Sequence, residues 1–407
     1  MMEKHLQVHW WDGSVVGHLI HRGAIYFVYD EAWIRRGHNL SPLSLPFTNV
    51  VFNGSKGIDG LPGLIADCLP DSWGRKVARK EFARNKWGEP TSMTLLAWRG
   101  TRGLGALRFL PPLQEGSGAG RLETISAAAL ARGAAEIERG EPTEVLAQLA
   151  QGGTAGGAYP KAVVLAYPDG TLSVGSPDGL GDPCLLKFDL SEGGDNAPCE
   201  HAYALMARAA GIRAVQTRLI EENPPAKRRH LLVKRFDLPD LKKPERRFHF
   251  HSASGLLHKG AGDLDYRDLF RAAIRLNTQP GELRELARRM VFNVLSSNHD
   301  DHGKNHAFLY HEERREWSLA PAYDMTYSSG MLERGTLVNG EVWPTIAIME
   351  SLCLDAGVTK AEFRQLFEKV KNALDQWNDF AKQSGLSAAK AREIRERHLL
   401  IQNRVLI

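Results

Sequence analysis

The chain has 407 residues, 43% of them hydrophobic, and is long enough to bury a large core in two or three structural units. A net charge of +4 and a pI near 8.8 permit contact with DNA or an acidic partner without arguing for either. The four cysteines lack C-x-x-C spacing, so neither a zinc site nor a disulfide framework is predicted. Without a signal-peptide pattern or an apolar run of spanning length, we expect a soluble cytoplasmic protein.

The N-terminal part indicates a small sheet followed by helices. Residues 6–29 alternate apolar and polar side chains in places and contain the turn signals Asp12-Gly13 and Gly23, which predicts antiparallel strands. A proline-punctuated loop at 40–46 and helices around 60–74 would complete a packed cap domain. Residues 122–151 are rich in Ala and Glu and predict a helical connector.

A glycine-rich segment at 151–161 precedes an apolar strand. Its glycines and Thr154 form a loop whose backbone N–H groups could cover phosphates, although a purely structural hairpin gives the same pattern. It is not a Walker A motif, because Gly-Lys-Ser/Thr is missing.

The next strand, 183–188, contains one lysine among apolar residues. Lys187 is either a nucleotide-phosphate lysine or an edge-strand lysine facing water. Glu200 then opens a predicted helix that ends at Gly211. A strand lysine followed by a helix glutamate repeats the ion pair of kinase N-lobes, but Glu200 also suits the first turn of a helix.

The run from Leu231 to Asp237 predicts a strand and hinge. In a kinase, backbone groups of Lys234, Arg235 and Phe236 would contact adenine and Asp237 would reach the ribose. His249, His251 and His258 follow, and we expect them at the surface or in a substrate groove, because no carboxylate is spaced to complete a metal site with them.

The most informative stretch is N-H-D-D-H-G-K-N at 298–305, between a buried helix and a short strand. Asp300 and Asn305 have the D-x-x-x-x-N spacing of a kinase base and a Mg²⁺-binding amide. After a turn and a second strand at 317–319, Asp324 would be the second metal ligand, because Mg²⁺ prefers hard oxygen donors.

Other interpretations of this stretch stay open. The adjacent His and Asp residues resemble the metal core of HD-type phosphohydrolases, and a solvated loop without chemistry is also consistent with the sequence. The rest of the chain from Tyr266 predicts helices. The last helix contains five basic residues, which form either a solvated helix face or a contact with the DNA backbone: Lys390, Arg392, Arg395, Arg397 and Arg404.

Several motifs together resemble the HipA family of bacterial toxin kinases. These are N-x-D-D-H-x-K-N at 298–305, A-P-x-Y-D at 320–324, the R-F-D run at 235–237, and the N-terminal segments L-S-L-P and D-x-L-P-D-x-W-G. The glycine-rich loop is similar to the family's S-x-G-G-A-x-x-K phosphate loop, with Thr154 in place of the serine that is autophosphorylated. In the family this phosphorylation ejects the loop and shuts the enzyme off.

The resemblance implies an ATP- and Mg²⁺-dependent serine/threonine protein kinase that inhibits translation and growth. Its implied target is an aminoacyl-tRNA synthetase such as glutamyl-tRNA synthetase, and a HipB-like helix-turn-helix antitoxin would neutralise it and bring it to operator DNA. Asp300 would be the base, Asn305 and Asp324 the metal ligands, and Lys187 the phosphate anchor, paired with Glu200. Further nucleotide contacts are expected from Gly156, Gly157, Lys161, His302, Lys304 and Tyr323.

We therefore predict an α+β, bilobal kinase-like fold in three parts: an N-terminal subdomain at 1–112, an N-lobe at 113–240 and a mainly α-helical C-lobe at 241–407. The competing function is a catalytically weak co-repressor that acts with an antitoxin on DNA. The intact set of Lys187, Asp300, Asn305 and Asp324 speaks against it.

Overall fold

The structure, a computed structural model, describes residues 5–54, 58–113, 122–152, 159–175, 178–222, 228–243, 245–330 and 333–405. The chain divides into two compact units. The first comprises Met1–Glu192 and Ile220–Phe250, and the second comprises Gly193–Leu219 and His251–Ile407. Within the described residues, none of the helices combines the length and the apolar character needed to cross a membrane.

The first unit begins with strands and short helices. They are β1 (His5–His9), β2 (Val15–Arg22), β3 (Ala24–Tyr29), α1 (Glu31–Arg36), β4 (Phe52–Asn53), α2 (Gly63–Ala66), α3 (Ser72–Asn85), α4 (Ser92–Arg99) and β5 (Arg108–Leu110). The strands form an antiparallel sheet in the order β4-β3-β2-β1-β5. Leu6 and Val8 alternate with more exposed residues along β1 and are fully buried, so the predicted N-terminal sheet is confirmed.

A second sheet completes this unit. Its elements are β6 (Glu123–Thr124), α5 (Ala127–Glu138), α6 (Leu146–Gly152), β7 (Lys161–Ala166), β8 (Leu172–Val174), β9 (Asp182–Lys187), β10 (Thr217–Glu221) and β11 (Arg229–Lys234). The strand order is β10-β11-β9-β7-β8-β6. The predicted lysine-bearing strand is β9, and its Lys187 lies opposite Leu231 on one side and Lys161 on the other.

The second unit is mainly helical, as predicted. Its elements are α7 (Asn196–Ala209), β12 (His249–Ser252, which begins in the first unit), α8 (Ala253–Leu257), β13 (Leu264–Asp265), α9 (Tyr266–Arg275), α10 (Pro280–Leu295), β14 (Ala307–His311), β15 (Glu316–Leu319), β16 (Thr336–Leu337), α11 (Ile346–Asp355), α12 (Lys360–Asp375), α13 (Trp377–Gln383) and α14 (Ala388–Val405). Helix α10 packs on α9, α12 and α14. Its last turn, from Met290 to Leu295, is buried throughout, and so holds the following loop in place.

Two expectations about single residues were wrong. Helix α7 begins at Asn196 rather than at Glu200, because Pro198 is tolerated in a first turn, where its missing N–H has no intrahelical partner to bond. Glu200 is therefore not a first-turn acid. His249 and His251 are buried rather than exposed. The His249 ring bonds the carbonyl of Leu40 at 2.9 Å and packs against Trp10.

Candidate active site

The loop that follows α10 is held by side chains of its own helix and of the neighbouring helix α7. The Tyr203 hydroxyl on α7 donates to the carbonyl of Ser296 at 2.6 Å and lies 3.0 Å from His398 of α14. The amide side chain of Asn298 donates to that of Asn293, one turn back on α10, at 3.0 Å. The first residues of the loop, which precede Asp300 and Asp301, are therefore held in place by these contacts.

The two adjacent acids have different surroundings. The Asp301 side chain is 1% exposed and lies 3.4 Å from the fully buried guanidinium of Arg334. It also accepts hydrogen bonds from the Tyr266 hydroxyl at 3.1 Å and from the N–H of Thr336 at 3.2 Å. Burial raises the pKa of Asp301, and Arg334 opposes that shift. Asp301 therefore holds the loop in place through its buried contacts with Arg334, Tyr266 and Thr336.

The Asp300 side chain, in contrast, is 45% exposed. Its N–H donates to the Ser328 hydroxyl at 3.0 Å, and its carboxylate lies 3.8 Å from Nε2 of His302. Burial, and then the negative charges of Asp324 and Asp301, raise the pKa of Asp300, while His302 lowers it. A carboxyl group that is reachable and holds its proton more tightly than usual is suited to proton exchange.

Asn305 is positioned by the backbone of Asp300. Its Nδ2 donates to the Asp300 carbonyl at 2.6 Å, and its own N–H donates to the carbonyl of His302 at 2.7 Å. With Nδ2 used in this way, the amide oxygen is the atom of Asn305 that can serve a metal ion. The predicted D-x-x-x-x-N spacing thus closes a compact turn.

Asp324 lies in a left-handed backbone conformation, with φ of 54°. Asp and Asn adopt this region more readily than bulkier residues. The preceding Tyr323 donates its hydroxyl to the carbonyl of Lys304 at 2.6 Å, which joins the segment after β15 to the loop. The structure therefore brings together six predicted site residues within the second unit: Asp300, His302, Lys304, Asn305, Tyr323 and Asp324.

A buried polar network fixes this segment onto α10. Arg289 donates to the carbonyl of Ala320 at 2.8 Å, and Glu282 accepts from the N–H of Leu319 at 2.9 Å. His306 bonds the carbonyl of Asp301 at 3.0 Å, and burial lowers its pKa to about 3, which keeps it neutral. Gly335 lets its own backbone pass close to the backbone of His302 in the loop, because a Cβ on residue 335 would lie only 2.6 Å from the backbone nitrogen of His302.

The last helix, α14, contacts the loop that follows α10, so its basic side chains do not all point only into water. Arg397 on α14 lies 3.3 Å from the Ser297 hydroxyl, and both Arg397 and Arg404 stack over the ring of Trp343. Trp343 in turn packs edge-to-face against His299. Arg397 is partly buried and so departs from the expected solvated face, whereas Arg404 remains exposed while its planar guanidinium group packs on the aromatic ring.

The first unit contains the remaining predicted nucleotide residues that the structure describes. Lys187 ends β9 and is partly exposed. Lys234 pairs with Asp182 at 2.8 Å. Asp237 is buried, and its two oxygens accept from the guanidinium of Arg235 at 2.8 and 2.9 Å. The predicted ribose contact of Asp237 stays a prediction. Phe236 packs near Phe250, while Thr154, Gly156 and Gly157 lie outside the described residues.

Lys161 is 1% exposed and forms an ion pair at 3.3 Å with Asp71, the N-cap residue of α3. The indole of Trp73 donates to the Lys161 carbonyl at 2.9 Å. The D-x-W segment of the N-terminal motif thus holds Lys161, the last residue of the glycine-rich segment. A phosphate contact of Lys161 remains a prediction.

We expect Asp71→Asn to lower the free energy of unfolding by about 3–5 kcal/mol, because it removes the carboxylate that is paired with the buried ammonium group of Lys161. Asparagine still caps a helix as well as aspartate does, so the loss reports the ion pair. Asp30→Asn, at the N-cap of α1, is the matched control. Equal denaturant midpoints for the two variants would contradict this assignment.

Comparison with known proteins gives a consistent result. The model of the HipA-like C-terminal domain matches residues 153–400, and that of the HipA N-terminal domain matches residues 6–110. The chain belongs to the HipA family. Y4mE of Sinorhizobium fredii, described only provisionally as a kinase, is 27% identical over 393 residues, which are 93% of this chain and 85% of that protein.

A solved structure supports the HipA fold. A chain in the Shewanella oneidensis MR-1 complex of the HipA and HipB toxin–antitoxin system with operator DNA matches with a TM-score of 0.72, at 16% identity, over 98% of this chain and 96% of its own. The α+β kinase-like fold predicted from the motifs is confirmed. The predicted three-part domain boundaries stay a prediction.

Sequence reasoning missed several residues that shape this HipA site. Arg334, Tyr266 and Thr336 bind Asp301, and Ser328 binds the backbone of Asp300, but no local motif marks them. Asp71 was detectable in principle, since a buried lysine requires a nearby anion.

Proposed function

We propose that this HipA family member is an ATP- and Mg²⁺-dependent serine/threonine protein kinase in which Asp300 accepts the proton of the substrate hydroxyl. The observation that carries the proposal is the contrast between two adjacent acids. The pKa of both acids is raised, but Asp301 is buried against Arg334, whereas the Asp300 carboxylate is 45% exposed and can be reached by a substrate. A base is most effective when its pKa approaches the working pH, so the environment favours Asp300 for this task.

The donor set fits Mg²⁺. Asn305 has its amide nitrogen committed to the Asp300 carbonyl, which leaves the amide oxygen for a metal, and Asp324 lies close enough to raise the pKa of Asp300. These two residues would hold the ion, which supplies charge neutralisation at the phosphate oxygens when bound. Among the described residues, no group of three His, Cys, Asp or Glu side chains is arranged to hold a metal, so nothing there favours the phosphohydrolase interpretation.

The nucleotide residues follow from the same proposal. Lys187 anchors the phosphates, with Glu200 as its ion-pair partner, and the backbone of Lys234, Arg235 and Phe236 receives the adenine. His302, Lys304 and Tyr323 add contacts from the catalytic loop and the segment after β15. Gly156, Gly157 and Lys161 would cover the phosphates, and Thr154 would be the site of autophosphorylation.

The partners are proposed from the family and from the composition of the matched complex. The Shewanella chain was solved with HipB and operator DNA, which supports a helix-turn-helix antitoxin that carries this chain to DNA in the cytoplasm. The protein substrate is an aminoacyl-tRNA synthetase such as glutamyl-tRNA synthetase, whose phosphorylation would inhibit translation and growth.

The test is mass spectrometry of the purified protein after incubation with Mg-ATP, alone and with glutamyl-tRNA synthetase. We expect phosphate on Thr154 of the parent protein, and none in Asp324→Asn, which loses a metal ligand. Asp355→Asn is the matched control, because this aspartate is exposed at the end of α11. It should keep the parent's phosphorylation.

The outcomes separate the candidate functions. Phosphate on the synthetase but not on Thr154 would keep the kinase and remove the loop assignment. If the parent protein fails to bind ATP, the kinase proposal is wrong, and the co-repressor function becomes the better explanation for the match to a DNA-bound complex.

A further inference from the structure

The backbone of the proposed base is held on both sides by side chains. The N–H of Asp300 donates to the Ser328 hydroxyl at 3.0 Å, and the carbonyl of Asp300 accepts from the amide side chain of Asn305 at 2.6 Å. The preceding N–H, that of His299, donates to the same Ser328 oxygen at 2.9 Å. Because the backbone conformation restricts the side-chain rotamers, these contacts limit where the carboxylate of Asp300 can point.

Ser328 serves here as the acceptor of two hydrogen bonds. A serine oxygen has two lone pairs, and the N–H groups of His299 and Asp300 both donate to it. These two residues lie outside any helix or strand, and His299 is fully buried. A buried backbone N–H requires an acceptor, so the Ser328 hydroxyl provides what a backbone carbonyl provides in regular secondary structure.

The segment that contains Ser328 binds the loop at further points. The N–H of Ser328 donates to the carbonyl of Ser297 at 3.3 Å, and the N–H of Gly335 donates to the carbonyl of His299 at 2.7 Å. Of these contacts, the hydroxyl of Ser328 is the one that reaches the backbone of Asp300. It therefore acts most directly on the proposed base.

The same segment contains a proposed metal ligand. Asp324 precedes Ser328 by four residues. The chain between them is itself held in place, because Met325 is buried and the Thr326 hydroxyl donates to the sulfur of Cys199 on α7 at 3.7 Å. A short, anchored connection thus joins a proposed metal ligand to the hydroxyl that holds the proposed base.

We propose that Ser328 is a positioning residue for phosphoryl transfer, whose hydroxyl keeps the carboxylate of Asp300 in place relative to Asp324. The inference rests on the proposed kinase function. Ser328 acts through the backbone of Asp300 and takes no proton itself. Because a misplacement of about 1 Å can slow a reaction about 10²-fold, loss of this hydroxyl affects kcat more than the binding of ATP.

The experiment compares Ser328→Ala with Ser328→Thr in the full chain. Without nucleotide, the hydrogen exchange rates of the amides of His299 and Asp300 are followed by mass spectrometry with fragmentation. Alanine removes the acceptor, so both amides should exchange about tenfold faster or more. With Mg-ATP, kcat should fall by about 10- to 100-fold while KM for ATP stays close to that of the parent. Threonine keeps the oxygen and should restore the exchange rates and kcat.

The matched control is Ser329→Ala, because Ser329 is the exposed neighbour of Ser328. It should leave kcat, KM and both exchange rates unchanged. If Ser328→Ala does not fold, Ser328→Cys takes its place, since a thiol is a weaker acceptor than a hydroxyl. The expected changes then have the same direction.

The outcomes are distinct. Exchange rates in Ser328→Ala equal to those of the parent would overturn the proposal, as would faster exchange with an unchanged kcat. A KM for ATP that rises as much as kcat falls would also overturn it, because the nucleotide site would then be generally damaged. A parent that transfers no phosphate would refute the kinase function and with it the catalytic role of Ser328. The exchange comparison needs no nucleotide, so it would still show separately whether Ser328 holds the loop.

Discussion

Replacing Asp300 by asparagine is expected to slow phosphoryl transfer by about 10²- to 10⁴-fold while the protein stays folded. Asparagine keeps the shape of the side chain and leaves untouched the backbone bonds to Ser328 and Asn305. It removes only the capacity to accept a proton. The measurement is kcat at saturating Mg-ATP, together with thermal unfolding. A variant with the parent's kcat would exclude Asp300 as the base.

The pH dependence gives an independent check on the same residue. Asp300 must be ionised to act as a base, so kcat/KM should fall as pH drops through its pKa, which lies above the usual value of 3.8. The ionisation of Asp300 has the opposite effect on the free energy of unfolding. The folded state binds this proton more tightly than the unfolded chain, so ionised Asp300 destabilises the fold at neutral pH. Asp300→Asn should therefore unfold at the same temperature or slightly higher.

The neighbouring substitution, Asp301→Asn, is expected to lower the free energy of unfolding by about 3–5 kcal/mol, because it leaves the fully buried Arg334 without its carboxylate. Urea unfolding of the two adjacent variants makes a direct comparison. Asp300→Asn should lose activity and keep stability, whereas Asp301→Asn should lose stability first. The opposite pattern would reverse the roles assigned to the two acids.

A double variant separates the ion pair from the rest of the Asp301 contacts. Asp301→Asn combined with Arg334→Gln removes both charges, so it should be more stable than the sum of the single effects predicts. Strict additivity would show that Asp301 acts through Tyr266 and Thr336 instead of through Arg334.

The sequence was most informative where local pattern and chemistry coincide. The apolar run of α10, the D-x-x-x-x-N spacing and the short strands β14 and β15 predicted a helix, a polar loop and a hairpin, and the structure has them. These features depend on residues close in the chain, so periodicity and turn signals suffice to find them.

Features that depend on distant residues were not predictable in the same way. Nothing in the Asp300-Asp301 pair indicates which acid is buried, because that is decided by Arg334 and Tyr266, more than thirty residues away on either side. The burial of His249 likewise depends on Leu40 and Trp10. Patterns read along a chain do not contain such tertiary partners.

The bracing of the loop by α14 affects how genomes are searched for proteins of this kind. A reading frame interrupted within the codons of α14 would still encode every acid and amide of the loop, and a motif search would count it as intact. Its product would lack His398 beside Tyr203, and Arg397 beside Ser297 and Trp343. Integrity of the last helix is therefore as useful a criterion as the motif itself when family members are sorted into active and decayed copies.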